Sequence, residues 1–140
     1  MKLKKRILAL SIITCVMSST LAINSNALLA EQTITTGGCN FNVGAYTSFT
    51  SSSVYANGYL YQNKTNDTKK YAIKEQLYEK GYDYPKTSTS YGTAKTIAYG
   101  NSISKQSAGV TRNTSKKYSA RTYYQINNNT AYQPVISDFG

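Results

Sequence analysis

Few residues in this 140-residue chain could do covalent or acid–base chemistry: Cys15 and Cys39, the pair Glu75 and Glu79, and not one histidine. Without imidazole there is no Ser-His-Asp triad, no Cys-His pair and no histidine-ligated metal. Cys39 follows Gly37-Gly38 and has no base to activate it, so the segment reads as a lead into a strand and not as the setting of a nucleophile. Glu75 and Glu79 share a face at i and i+4 in a helix or a strand, as a carboxylate pair would. Glycoside hydrolysis needs those acids in a sizeable groove. A chain this short rarely builds one, and Lys74 and Lys80 stand beside the two acids, so solvated, charge-balancing side chains are the expectation. Asn66-Asp67-Thr68 lacks the spacing of a calcium loop, and the glycines form no phosphate-loop pattern. A protein that is not an enzyme and carries no metal or cofactor is therefore expected.

Binding chemistry is better represented. The chain holds 14 Tyr against 3 Phe and no Trp, and 16 Lys plus Arg against 6 Asp plus Glu. Tyr55, Tyr59 and Tyr61 recur on one side of an alternating run, and Tyr123 falls on the outward side of another. Interleaved with Lys69, Lys70, Lys74, Lys116, Lys117 and Arg121, such rings can stack on sugars, sit at a membrane interface or grip an anionic polymer. These residues form the candidate binding set. A plainer account competes with it: Tyr suits half-exposed strands, and edge lysines keep sheets from pairing with one another.

The amino terminus addresses the chain for export. Lys2, Lys4, Lys5 and Arg6 precede a mostly apolar run from Ile7 to Met17, the n-region and h-region of a secretory signal peptide. That run is too short to span a bilayer as a helix, which takes about 20 residues. Cleavage is expected after Ala27, with Ala22 and Ala30 as alternatives. Lipidation at Cys15 is not expected, because Thr14 fits the cleavage position poorly and the segment stays apolar beyond it. Removal of residues 1–27 leaves twelve basic and six acidic side chains, a charge of +6, and a single cysteine with no internal disulfide partner. Burial is the expected state of Cys39. The Lys-rich start and the Asn/Ser/Thr/Tyr-rich body have the composition of an exported Gram-positive protein.

Positioning falls to strands. From Cys39 to Thr50, Cys39, Phe41, Val43, Ala45, Thr47 and Phe49 alternate with polar residues, the period of a half-buried strand. Val54, Ala56, Gly58 and Leu60 then alternate with Tyr55, Asn57, Tyr59 and Tyr61, and residues 64–70 (KTNDTKK) form a polar turn. Residues 71–80 suit a helix by propensity, but residues 66–74 (NDTKKYAIK) echo residues 113–121 (NTSKKYSAR), which run on into a clear strand. Both copies are therefore read as strands, which turns Glu75 inward, and their Lys pairs are expected on one edge of the sheet. Residues 81–92 read as a loop, 93–104 as a strand, 105–115 as an exposed connection, and Pro134 to Phe139 as a docked final strand. The expectation is an all-β fold, a small antiparallel β-sandwich over residues 39–140 behind a flexible leader at 28–38, with a partly open β-barrel as the alternative.

Two functions follow as expectations. One is a secreted protein binding an anionic cell-wall polymer, a glycan, a membrane surface or another protein. The other is an antimicrobial, bacteriocin-like or toxin-like protein acting on a competitor's envelope. Nucleic acid is not expected as a partner outside the cell.

Overall fold

Alternating side chains divide the chain into strands that can each bury one face. The computed structural model describes residues 29–140, so the signal peptide at 1–27, Cys15 and the cleavage after Ala27 lie outside the described residues. Nine strands follow: β1 (Ala30–Ile34), β2 (Phe41–Phe49), β3 (Ser53–Gln62), β4 (Tyr71–Glu79), β5 (Thr87–Ser88), β6 (Ser102–Gln106), β7 (Val110–Thr111), β8 (Tyr118–Ile126) and β9 (Val135–Ile136). They form two antiparallel sheets. The first has the order β1-β2-β3-β6, with β7 also on β3, and the second has β5-β4-β8-β9. Neither closes into a barrel. Among the described residues no helix is long and apolar enough to cross a membrane.

The core lies between the sheets. Phe41, Val43, Ala45 and Phe49 of β2 and Val54, Ala56 and Leu60 of β3 meet Tyr71, Ile73 and Leu77 of β4 and Tyr118, Ala120, Tyr124 and Ile126 of β8. Edge-on ring contacts tie the layers together, Phe41 to Tyr71 at 5.1 Å, Phe41 to Tyr124 at 5.6 Å and Phe49 to Tyr118 at 6.4 Å between centroids. Each such pair adds about 0.5–1.5 kcal/mol beyond the area it buries. Cys39 is buried beside this cluster, as the alternation predicts.

Residues 63–70 carry the chain from one sheet to the other, and Asp67 fastens the crossing. Its carboxylate accepts hydrogen bonds from the Tyr71 hydroxyl, from Gln62 Nε2 at 3.2 Å and from the Lys69 amide at 2.9 Å. Burial alone would raise the Asp67 pKa, but these hydrogen bonds and the Lys69 charge outweigh it and hold the carboxyl below its usual range.

Several expectations change on the folded chain. Ala30–Ile34, placed in the flexible leader 28–38, pairs with β2 as an edge strand in register from Ala30 with Ala45 to Ile34 with Phe41. The strand expected over 93–104 begins only at Ser102, because the Asn101 amide bonds back to the Ala98 carbonyl at 3.0 Å and Gly100 takes φ +79°. The connection expected over 105–115 contains the end of β6 and all of β7. Both copies of the internal echo are strands, and they pair with each other, Tyr71 opposite Ile126 and Glu79 opposite Tyr118. Antiparallel pairing sends the two Lys pairs to opposite ends of the sheet, not to one edge: Lys70 meets Asn127, while Lys117 meets Lys80.

Candidate functional site

The outward faces of β4 and β8 bring together three of the predicted binding residues. Lys74, Gln76 and Tyr78 point away from the core, and the register sets Lys74 across from Tyr123 and Gln76 across from Arg121. The Lys74 ammonium lies 4.6 Å from the Tyr123 ring centroid and 5.3 Å from that of Tyr91, which reaches in from the loop after β5. The Arg121 guanidinium carbon stands 3.7 Å from the Tyr78 centroid. Contacts of this kind are worth about 0.5–1 kcal/mol when exposed and about 2 when desolvated. They hold Lys74 and Arg121 against aromatic rings on the outer face of the sheet. Arg121 Nε is buried and finds no partner among the described residues. Burial raises the Tyr78 pKa, and neighbouring Tyr123 adds to the rise while Arg121 opposes it.

A second cluster gathers at the end of the sheet where β4 finishes and β8 begins. Glu79 is pinned between Lys86 at 3.3 Å and Lys116 at 3.4 Å, and Lys86 also stands 4.1 Å over the Tyr82 ring. Tyr84, 60% exposed, meets Tyr82 edge-on. Lys80 and Lys117 join by a backbone hydrogen bond of 2.9 Å, so four lysines and two exposed tyrosines share this tip. Lys69 and Lys70 are excluded from it, standing at the far end of the ladder.

The tyrosines expected on the outer face of β3 divide. Tyr59 is 2% exposed, its ring covers Gly44, and its hydroxyl donates to Glu31, so it builds the first sheet and offers no binding surface. Burial, then the bond to Glu31, raises its pKa. Tyr55 and Tyr61 stay partly exposed. They lie on the sheet opposite Tyr123, Lys74 and Arg121, so the predicted set does not converge on one surface. Six of the 14 tyrosines are buried.

Glu75 and Glu79 are not the solvated pair that Lys74 and Lys80 would balance. Glu79 takes Lys86 and Lys116, and Glu75 is 0% exposed in the middle of the core. Glu75 sits across from Thr122, and Thr122 Oγ1 lies 2.9 Å both from Glu75 Oε2 and from the Gly44 carbonyl of the other sheet. A hydroxyl has one proton and a carbonyl can only accept, so both contacts are satisfied when Glu75 is protonated and donates to Thr122. Burial pushes the Glu75 pKa well up, against weaker pulls from Thr122 and from the Lys105 charge. Gly58 makes the room: a Cβ there would run into Glu75 Oε1 and Thr122 Oγ1.

Glu75 and Thr122 thus form a buried hydrogen-bond relay between the two sheets. Among the described residues no cluster of His, Cys, Asp or Glu could hold a metal ion. Tyr78 and Gln76 belong to the β4/β8 face and were missed in the sequence, although strand parity alone turns them outward beside Lys74. Tyr91 lies in an irregular loop, where periodicity gives no signal. The chain matches no family model, no curated protein and no solved structure.

Proposed function

We propose that this chain is a secreted, non-enzymatic, cationic Tyr-rich β-protein that binds the anionic cell envelope, a wall polymer or glycan, through the outer face of β4 and β8. The supporting observation is the ladder of cations held on aromatic rings: Arg121 over Tyr78, and Lys74 over Tyr123 and Tyr91. Oriented cations and ring faces suit a polymer that alternates charge with sugar or polyol carbon. The test is retention of the mature chain on purified walls across a salt series. Retention should fall with salt, and Lys74→Gln with Arg121→Gln should lower it more than Lys69→Gln with Lys70→Gln at the far end. Retention indifferent to salt and to all four changes refutes the reading.

The antimicrobial reading draws on the tip. Exposed Tyr82 and Tyr84 rimmed by Lys80, Lys86, Lys116 and Lys117 suit the interface of an anionic bilayer. It predicts leakage from anionic vesicles that Tyr84→Ser with Lys116→Gln abolishes. Intact vesicles at micromolar protein would dismiss it.

A further inference from the structure

Along one flank the two sheets part. Edge strand β6 of the first sheet faces the segment 92–95, which follows the outer edge of β4 through hydrogen bonds from the Gly92 amide to the Ile73 carbonyl (3.3 Å) and between Tyr71 and Lys95 (2.9 and 3.0 Å). Between them lies an open cleft of about 500 Å3. The pairing of Leu60 with Ile103 and of Gly58 with Lys105 turns Ile103 and Lys105 inward on β6, toward this cleft. Ile73 and Ile103 supply an apolar floor, Thr93 a hydroxyl, and Lys95 and Lys105 the charge, while Ser102 and Ser104 border the cleft from the edge of β6 with side chains alternating to the other face. Lys105 spans the gap, since its ammonium lies 3.8 Å from where a Cβ of Gly92 would stand.

Nothing within the cleft neutralises the two lysines. No carboxylate lines it, and among the described residues neither Lys95 nor Lys105 joins an ion pair. The nearest acid in influence, Glu75, is fully buried and spends one oxygen on Thr122, while Oε1 has no hydrogen-bond partner. Two unmatched ammonium groups, the Thr93 hydroxyl and an apolar floor beside the polar edge of β6 describe a compact anion attached to a hydroxylated carbon chain. The geometry points to a binding site for a polyol phosphate in this cleft, its phosphate between Lys95 and Lys105 and its polyol chain running past Thr93 along the edge of β6. Because the cleft is open to solvent, a phosphate inside a longer chain fits with both ends leading out. These residues are distinct from the β4/β8 face, so either site can fail without the other.

The test is an amide-resolved NMR titration of the mature chain with glycerol 1-phosphate, with poly(glycerol phosphate) and with uncharged glycerol. Glycerol 1-phosphate should move the amides of Gly92, Thr93, Ser102 and Ser104, and glycerol alone should not. Lys95→Gln and Lys105→Gln should each weaken the affinity about tenfold or more, the worth of a charge-assisted hydrogen bond. Lys105→Arg should keep most of it, which separates lost charge from lost folding, and Lys74→Gln with Arg121→Gln should leave the cleft shifts unchanged. Tighter binding of the polymer than of the monomer assigns the site to a chain of phosphates, and equal binding per phosphate assigns it to free polyol phosphates. The inference is overturned if millimolar glycerol phosphate leaves those amides unmoved, or if every lysine change weakens binding equally, as diffuse charge attraction would.

Discussion

Replacing Glu75 with Gln isolates one proton. At pH 4 the wild-type carboxyl and the Gln amide make the same donation to Thr122 Oγ1, and Thr122 still donates to Gly44, so the two chains should differ by no more than about 1 kcal/mol. The difference must then grow with pH. Burial raises the folded-state pKa of Glu75 above its unfolded value of about 4.3. The folded chain thus binds a proton that the unfolded chain has already shed. Stability from this group is fully present below about pH 4.3 and is lost as pH rises toward the folded-state value. Across that span the wild type loses about 1.4 kcal/mol per pH unit relative to Glu75→Gln. With a urea m-value of about 1–3 kcal/mol/M, each pH unit moves the midpoint of the wild type relative to the variant by roughly 0.5–1.4 M.

The assay is urea unfolding of both chains at half-unit steps from pH 4 to 7. With no histidine in the chain, no imidazole titrates in that window to blur the comparison. A gap between the variants that stays flat with pH would mean Glu75 titrates alike in the folded and unfolded chains. The proton accounting at Thr122 would then be wrong. Thr122→Val supplies a further check, since it strands both the Glu75 proton and the Gly44 carbonyl and should cost about 1–3 kcal/mol even at pH 4.

Gly58→Ala should cost about 1–3 kcal/mol in thermal or urea unfolding, because its Cβ collides with Glu75 and Thr122, and part of that cost should vanish in a Glu75→Ala background; strict additivity would refute the contact. Tyr71→Phe removes the hydroxyl donated to Asp67 and should cost about 2 kcal/mol at neutral pH. Asp67, held low in the folded chain, gives stability that is present above about pH 3.9 and lost as pH falls through its folded value, so the acid limb of the Tyr71→Phe curve should be shallower than that of the wild type. Cys39, 6% exposed, should resist a thiol reagent in native buffer and react fully in denaturant; rapid native labelling would contradict its burial.

The strands were legible where one residue in two is apolar. The run from Cys39 to Phe49 shows its period within a single segment, and β2 follows it. β4 was legible only through its echo in β8, because the composition of residues 71–80 favours a helix. β1 was not legible: of its five residues only Ile34 is buried, so its place comes from pairing with β2 and not from a pattern of its own. The separation of the two Lys pairs was hidden for a related reason. A repeat in sequence carries no strand direction, and the antiparallel pairing that fixes direction is a property of two segments together.

Glu75 shows the same limit most sharply. Strand parity turns it inward, yet ordinary chemistry argues against a carboxylate there, and one segment alone cannot decide between them. Three other strands remove the conflict: Thr122 on β8 accepts its proton, Gly44 on β2 accepts the proton of Thr122, and Gly58 on β3 gives up its side chain for space. The tyrosines moved the other way. Their abundance suggested surface contact, yet Tyr71, Tyr118 and Tyr124 fill the place of the missing Trp and scarce Phe at the centre. What composition alone over-weights in aromatic surface, the fold returns to the cations. On the outer face of β4 and β8 Lys74 and Arg121 are set in place by rings, and at the tip Lys86 and Lys116 are set in place by Glu79. Charge fixed in geometry can distinguish one anionic polymer from another, which the same net charge spread on mobile side chains cannot do.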